Sequence, residues 1–285
     1  MQGVICINGL FLPSGEAPPI FADQGLLYGF GLFETVLVRE GKPLLMDAHL
    51  ERLAAGCATL NLLLPCPPEE ISRLARETVR RNGLRDCALR LTLTAGRSPG
   101  EAPGTLLIST RPLPYRPEDY QKGFAAGWAP FPRNERSPLV KLKTLNYLEN
   151  LLARREAGKK GWDEAIFLNT AGFVAEGTIS NVFAVREGKV ITPPADQGLL
   201  PGIMRRTVLE ACRRAGLDAE ERPLLPQELE GAEECFLTNS LMTVMPLVKI
   251  NGRPVGKGQP GPITLRIREA VLRELTASCG APEGA

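Results

Sequence analysis

Histidine is almost missing: His49 is the only one in 285 residues. Chemistries that gather two or three imidazoles around a catalytic metal are excluded by that count, and no metal is expected. Cysteine pairing is missing too. The seven cysteines, at positions 6, 57, 66, 87, 212, 235 and 279, are odd in number and contain no Cys-x-x-Cys. They read as reduced, mostly buried thiols of a cytoplasmic protein, not as a disulfide frame or a zinc site. Neither sign of charge is in excess, since 34 basic against 32 acidic residues leave a formal +2. A nucleic-acid partner would call for a basic stripe, so none is expected. No apolar run approaches the roughly 18 residues needed to span a bilayer. The N-terminus lacks the basic-then-apolar order of a signal peptide, so no membrane association is expected either. What is there is an ordinary globular composition, 44% apolar and 23% charged, on a chain long enough for about two domains.

The pattern along the chain mixes short strands and helices. Asn8-Gly9 between apolar pairs is a hairpin signal. Residues 33–39 read as a strand turned by Glu40-Gly41-Lys42. Apolar positions 50, 53, 54, 57 and 60 have helical spacing, with Asp47 as the expected N-cap. Residues 68–82 form a second helix stopped by Gly83, and 88–94 alternates as a strand that pairs with 105–110. Residues 144–157 predict a helix with Leu145, Leu148, Leu151 and Leu152 on one face. Strands follow at 163–168, 173–174, 181–185 and 190–192, then a helix at 202–215 and a strand at 234–238; residues 279–285 read as a frayed tail. Three prolines within residues 111–121 mark the boundary. The expected organisation is an α+β protein of two lobes: a smaller N-terminal α/β domain over 1–115, a linker at 116–121 and a larger α/β domain over 122–285. The regular βαβ spacing of a doubly wound fold is missing.

The common short catalytic motifs fail. There is no phosphate-binding Gly-x-x-x-x-Gly-Lys-Ser/Thr, and Gly29-Phe-Gly31 has Glu34 where a dinucleotide fingerprint needs its third glycine. Gly96-Arg-Ser98-Pro-Gly100 has the spacing of a nucleophile elbow, but proline and glycine follow where a helix should start, so it reads as a loop. What remains is a lysine, a glutamate and a helix start. Lys143, at an element boundary, forms a Schiff base with an aldehyde if burial lowers its pKa. Glu176, in a glycine-containing turn, can pair with a protonated ring nitrogen. The N–H groups that open the helix at Gly202-Ile203-Met204 make an anion site, and Arg52 can fork onto the same anion. Taken singly, each has a plainer reading as a solvated charge, an exposed turn acid or a helix start that binds nothing. Taken together they are what a pyridoxal-phosphate enzyme needs.

The ordered motifs resemble the fold-type IV, or class IV, pyridoxal-phosphate enzymes: branched-chain aminotransferases, D-amino-acid aminotransferases and 4-amino-4-deoxychorismate lyases. Asp23 to Thr35 is similar to the family's substrate-side segment, His49-Leu-Glu-Arg52-Leu to its His-x-x-Arg-Leu, and Lys143-Thr-Leu-Asn to its Schiff-base site. Glu176-Gly-Thr-Ile-Ser-Asn181 is similar to its Glu-Gly-x-x-x-Asn, and Leu200-Pro-Gly-Ile203-Met204 and Thr238-Asn239-Ser240-Leu241 to its phosphate loops. The resemblance implies a D-amino-acid-aminotransferase-like fold, with pyridoxal 5'-phosphate in a cleft between two lobes, and a homodimer. It implies Lys143 as catalytic residue and Arg52, Lys143, Glu176, Asn181, Ile203, Met204, Ser240 and Leu241 as cofactor ligands. Tyr28, Phe33, Thr35, Arg90 and Asn239 are the expected contacts to a small amine substrate, Arg90 as a carboxylate binder.

Within the family the lysine and last-loop segments look most like the lyase group, which releases pyruvate to give 4-aminobenzoate, a folate precursor. The Lys-Gly-Gly-Asn-Tyr run of branched-chain enzymes is absent, which leaves open whether Tyr147 reaches the cofactor. An Arg-x-His pair of D-amino-acid enzymes is absent as well, since Thr92 follows Arg90 at that spacing. The alternative is an aminotransferase moving an amino group between a branched-chain or D-amino acid and a 2-oxo acid. A non-catalytic relative that only binds the cofactor is disfavoured by the intact Lys143 and Glu176.

Overall fold

The computed structural model describes residues 4–7, 10–13 and 19–280. The Asn8-Gly9 turn and residues 281–285 of the expected tail lie outside the described residues, while the strands on either side of that turn, β1 (Val4–Ile7) and β2 (Leu10–Pro13), pair antiparallel. A short helix α1 (Gln24–Tyr28) ends at Gly29, whose φ of 68° is the left-handed conformation a helix stop needs.

The first lobe is a four-stranded antiparallel sheet with two helices on one face. Its strands are β3 (Gly31–Arg39), β4 (Lys42–Pro43), β5 (Cys87–Thr94) and β6 (Leu106–Arg111), in the order β4-β3-β5-β6. The helices are α2 (Met46–Leu60) and α3 (Pro68–Arg81). Successive side chains of a strand point to opposite faces. Leu32, Val36 and Val38 of β3 and Leu89, Leu91 and Leu93 of β5 therefore bury against Leu50, Leu53, Ile71 and Val79 of the two helices. Each such side chain contributes about 1.5–3 kcal/mol by leaving water, so a one-residue slip of register would forfeit the whole face. The other face carries Phe33, Thr35 and Leu37 on β3, opposite Thr92, Arg90 and Ala88 on β5. Helix α2 begins one residue before Asp47, with Leu45 in the capping position at φ 53°, so Asp47 sits in the first turn, where its charge favours the helix dipole without capping it.

The connection after β6 is not a stiff extended linker throughout. Residues 117–122 wind into α4 (Pro117–Lys122). Proline is welcome at a first helical position, where no backbone donor is required, and the Asp119 carboxylate accepts the Arg116 N–H at 2.8 Å.

The second lobe is built on β7 (Phe124–Trp128), α5 (Leu148–Lys159), β8 (Glu164–Leu168), β9 (Val174–Gly177), β10 (Asn181–Arg186), β11 (Lys189–Thr192), α6 (Ile203–Arg214), β12 (Ala219–Glu221), α7 (Pro226–Glu230), β13 (Glu234–Asn239), β14 (Thr243–Ile250), β15 (Arg253–Pro254) and α8 (Pro262–Gly280). Its sheet runs β12-β11-β10-β13-β14-β7-β8-β9, with β15 on β14. Hairpin pairs predominate, but β7 lies parallel to both β14 and β8. One face packs Phe183, Phe236 and Val244 against Met204, Val208 and Cys212 of α6 and Ile267, Val271 and Leu275 of α8. Leu37 and Ala88 of the first lobe join that cluster, so the outward face of the small sheet is docked on the large lobe.

Helix α5 starts at Leu148, later than the spacing predicts, and its leucines are not its buried face. Leu148, Leu151 and Leu152 are exposed, whereas Asn150, Ala153 and Ala157 pack inward. The reason lies just upstream. Thr144 bridges to Leu32, and Leu145 N–H donates to the Gly31 carbonyl at 2.9 Å, so these residues extend the small sheet instead of starting a helix.

Candidate active site

A cavity of about 750 Å³ opens between the lobes. Strand β3 feeds it from the first lobe, the 143–150 segment closes it from the side, and the ends of β9, β10, β13 and α6 form its floor. All the residues expected at the site line it except Tyr28, which is 70% exposed at the end of α1.

Lys143 hangs at the seam. Its carbonyl accepts the Phe33 N–H at 2.9 Å, which ties it to β3, and its Nζ lies 4.5 Å from the Phe33 ring centroid. Burial pushes its pKa down to about 8, with the charge of Arg52 acting in the same sense. A substantial fraction is therefore a neutral, nucleophilic amine near neutral pH.

Glu176 ends in the floor on β9. Burial pushes its carboxyl up to about 7, while Arg133, 3.7 Å from Oε1, and the Leu200 N–H, 3.0 Å from Oε2, pull the other way. Arg133 is itself half-satisfied. Its Nη1 donates to Asn150 Oδ1 at 3.2 Å, its guanidinium stacks 4.0 Å from the Phe167 ring centroid, and Nε has no hydrogen-bond partner. A buried carboxylate with so little compensation favours a cationic N–H placed against it.

The turn from Leu200 to Gly202 joins this acid to an anion cradle. Asn181 Nδ2 donates to the Leu200 carbonyl at 2.9 Å. Gly202 caps α6, and a Cβ there would fall 2.1 Å from Asn181 Oδ1, so only glycine lets the backbone approach. The free N–H groups of Ile203 and Met204 then face the cavity at the positive end of a helix dipole.

Arg52 reaches the cradle from α2 with part of its fork committed. Its Nε and Nη2 donate to the two Glu34 oxygens at 2.8 and 2.7 Å, and Nη1 lies 3.5 Å from the Pro201 carbonyl. Burial alone would raise the Glu34 pKa, but its hydrogen bonds to Arg52 and His49 outweigh that and hold it at about 2. His49 is buried behind this pair. Nδ1 is 2.6 Å from Glu34 Oε2 and Nε2 is 3.5 Å from Ser240 Oγ. Burial lowers its pKa, and the adjoining carboxylate selects the neutral tautomer with the proton on Nδ1. The lone histidine thus holds Glu34 and Ser240 and does not face the cavity.

Several residues that matter here carry no usable sequence signal. Glu34 shows in the sequence only as a missing glycine. Glu164 supports the floor loop by accepting from the Thr178 N–H at 3.0 Å and from Ser180 Oγ at 2.8 Å. The Thr178 carbonyl in turn accepts from Tyr147 at 2.8 Å and from Asn150 at 2.6 Å. Burial raises the Tyr147 pKa, so its hydroxyl stays protonated. Asn239 is more committed than expected of a substrate contact: Oδ1 accepts the Leu241 and Met242 N–H groups at 2.9 and 2.8 Å, and Nδ2 donates to the Ile179 carbonyl at 3.1 Å.

A family model described as Amino-transferase class IV matches residues 31–250. The chain belongs to that family. A putative branched-chain-amino-acid aminotransferase of Methanocaldococcus jannaschii is 34% identical over 273 residues, spanning 93% of this chain and 94% of that one. The aminodeoxychorismate lyase of Bacillus subtilis is 31% identical over 281 residues, spanning 95% and 94%. A solved branched-chain amino acid aminotransferase of T.th., holding pyridoxamine 5'-phosphate, superimposes with a TM-score of 0.85 at 30% identity, over 97% of this chain and 95% of that chain. The chain is therefore a pyridoxal-phosphate enzyme of class IV. The buried neutral lysine, the under-compensated carboxylate and the glycine-capped anion cradle are a donor set that fits this cofactor. Among the described residues, no helix is long and apolar enough to cross a membrane.

Proposed function

We propose that the chain releases pyruvate from 4-amino-4-deoxychorismate to give 4-aminobenzoate, a folate precursor. Arg52, the Ile203 and Met204 N–H groups and Ser240 hold the cofactor phosphate, and Glu176 accepts the N–H of its ring, with Asn181 and Leu241 shaping the pocket. When bound, the cofactor supplies an electron sink for charge developing at the substrate carbon next to nitrogen. Lys143 Nζ takes the proton from that carbon and delivers it again, which an amine titrating near 8 does efficiently at neutral pH. Phe33 walls the lysine. Thr35, directly across from Arg90 in the strand register, presents a hydroxyl beside a carboxylate-binding guanidinium.

The observation that carries the lyase reading is this Thr35–Arg90 pair opening onto a cavity large enough for a ring-sized amine. The aminotransferase reading, between a branched-chain or D-amino acid and a 2-oxo acid, has at least equal support from the relatives. It uses the same Lys143 chemistry and differs in which carbon receives the proton. The discriminating experiment incubates the cofactor-loaded enzyme with aminodeoxychorismate and, separately, with amino-acid and 2-oxo-acid pairs. 4-Aminobenzoate release supports the lyase; brisk amino transfer without it reverses the choice. A homodimer in the cytoplasm is part of the proposal. Its support is the apolar side chains left exposed at Leu26, Leu27 and Tyr28 on α1, and the check is the mass in solution.

A further inference from the structure

The wall of the cavity formed by β5, β6 and α5 holds cations that no acid answers. Arg90 and Arg111 share the outward face of the small sheet. Ala88 pairs with Arg111 and Arg90 with Ser109, so the two arginines are diagonal neighbours, about 7–8 Å apart at the backbone. Arg90 lies 3.9 Å from the Phe33 ring centroid and spends only Nε, on Thr92 Oγ1 at 3.1 Å. Arg154 reaches the same space from α5, and its Nη1 is buried without a hydrogen-bond partner. The Tyr115 hydroxyl, pushed up by burial, feels both Arg154 and Arg111 pulling it down, which puts the two cations on one side of the cavity. The acids among the lining residues are Glu149 and Glu176, and both lie against Arg133 instead, at 3.5 and 3.7 Å.

Clustered guanidinium groups repel one another, and a buried N–H without an acceptor costs free energy. The arrangement is relieved by a planar anion that accepts from two forks at once. Arg90, nearest Phe33 and Lys143, already suffices for one carboxylate. An aliphatic side chain would leave Arg111 and Arg154 unanswered.

We propose that Arg111 and Arg154 form a subsite for a second carboxylate, so that the substrate class is an amine carrying two carboxylates held apart. This rests on the reading of the cavity as the amine site and is independent of whether the reaction ends as elimination or transfer.

The test measures calorimetric binding of two unreactive probes, isophthalate and benzoate, to the cofactor-loaded enzyme. Isophthalate is expected to bind about tenfold tighter than benzoate, as one further charge-assisted contact predicts. Arg154→Gln and Arg111→Gln are each expected to cost isophthalate about tenfold and to leave benzoate within about twofold. Equal affinities for the two probes in the unaltered enzyme, or an isophthalate affinity unmoved by both substitutions, overturns the subsite. Arg111 is an exposed strand-end residue, so its variant decides the matter if the α5 variant does not fold. A preference for isophthalate that survives in an enzyme making no 4-aminobenzoate refutes the lyase reading alone and upholds the subsite.

Discussion

Glu176 makes the cofactor-free protein less stable as pH rises, and the size of that effect follows from its burial. Its carboxyl is pushed from the ordinary 4.5 up to about 7. Between those values the native protein keeps a proton that the unfolded chain has already released. Stability therefore falls with rising pH through that window. At about 1.4 kcal/mol per pH unit the separation amounts to about 3 kcal/mol. Glutamine has the shape of the protonated acid and cannot ionise. Without cofactor, Glu176→Gln should match the unaltered protein near pH 4.5 and be about 3 kcal/mol more stable relative to it by pH 7.5. Urea denaturation across that range reads the difference, which removes the contributions of His49 and every other shared group. A difference that stays flat, or one that favours the unaltered protein as pH rises, refutes the idea that this carboxylate is held uncompensated for a cationic ring. Loading with cofactor should reverse the ranking at pH 7.5.

Three further outcomes follow from the site. Capture of pyridoxal phosphate by the cofactor-free protein should accelerate as pH rises and level off above about 8, where Lys143 is neutral, and Lys143→Ala should abolish the visible absorbance; a rate independent of pH between 6.5 and 9 counts against the lysine. Glu34→Gln weakens the hold on the Arg52 fork, so cofactor dissociation measured by equilibrium dialysis should rise about tenfold, with Lys143 still reactive. Gly202→Ala drives a Cβ into Asn181, so phosphate and cofactor should both bind at least about tenfold more weakly while pyridoxal without phosphate is unaffected.

Much of this is legible in the chain. The alternation of 33–39 and 88–94 predicts the small sheet with its pairing, since burial on one face writes itself into period two. Lys143, Glu176 and Gly202 stand out because their neighbours form ordered local motifs. Helix α5 falls later than expected because its leucines suggest a buried face, while the true inward face uses alanines, which carry little pattern. Arg133, Arg154 and Glu164 are silent because an isolated charged residue reads as surface until distant strands close around it. Strand β14 is silent for a different reason: it is buried on both faces, so its sequence shows no alternation to read.

Glu34 stands between Phe33 and Thr35 on β3, and the pleat sends it to the opposite side. The two faces of this strand therefore have separate duties: the even side grips the arginine of the phosphate cradle, and the odd side meets the substrate. Substitutions at 33, 35 or 90 can trade one amine for another without loosening the cofactor. A family whose members divide between transferring amino groups and breaking carbon–oxygen bonds is what such a strand permits, because a new specificity can be acquired one alternate residue at a time.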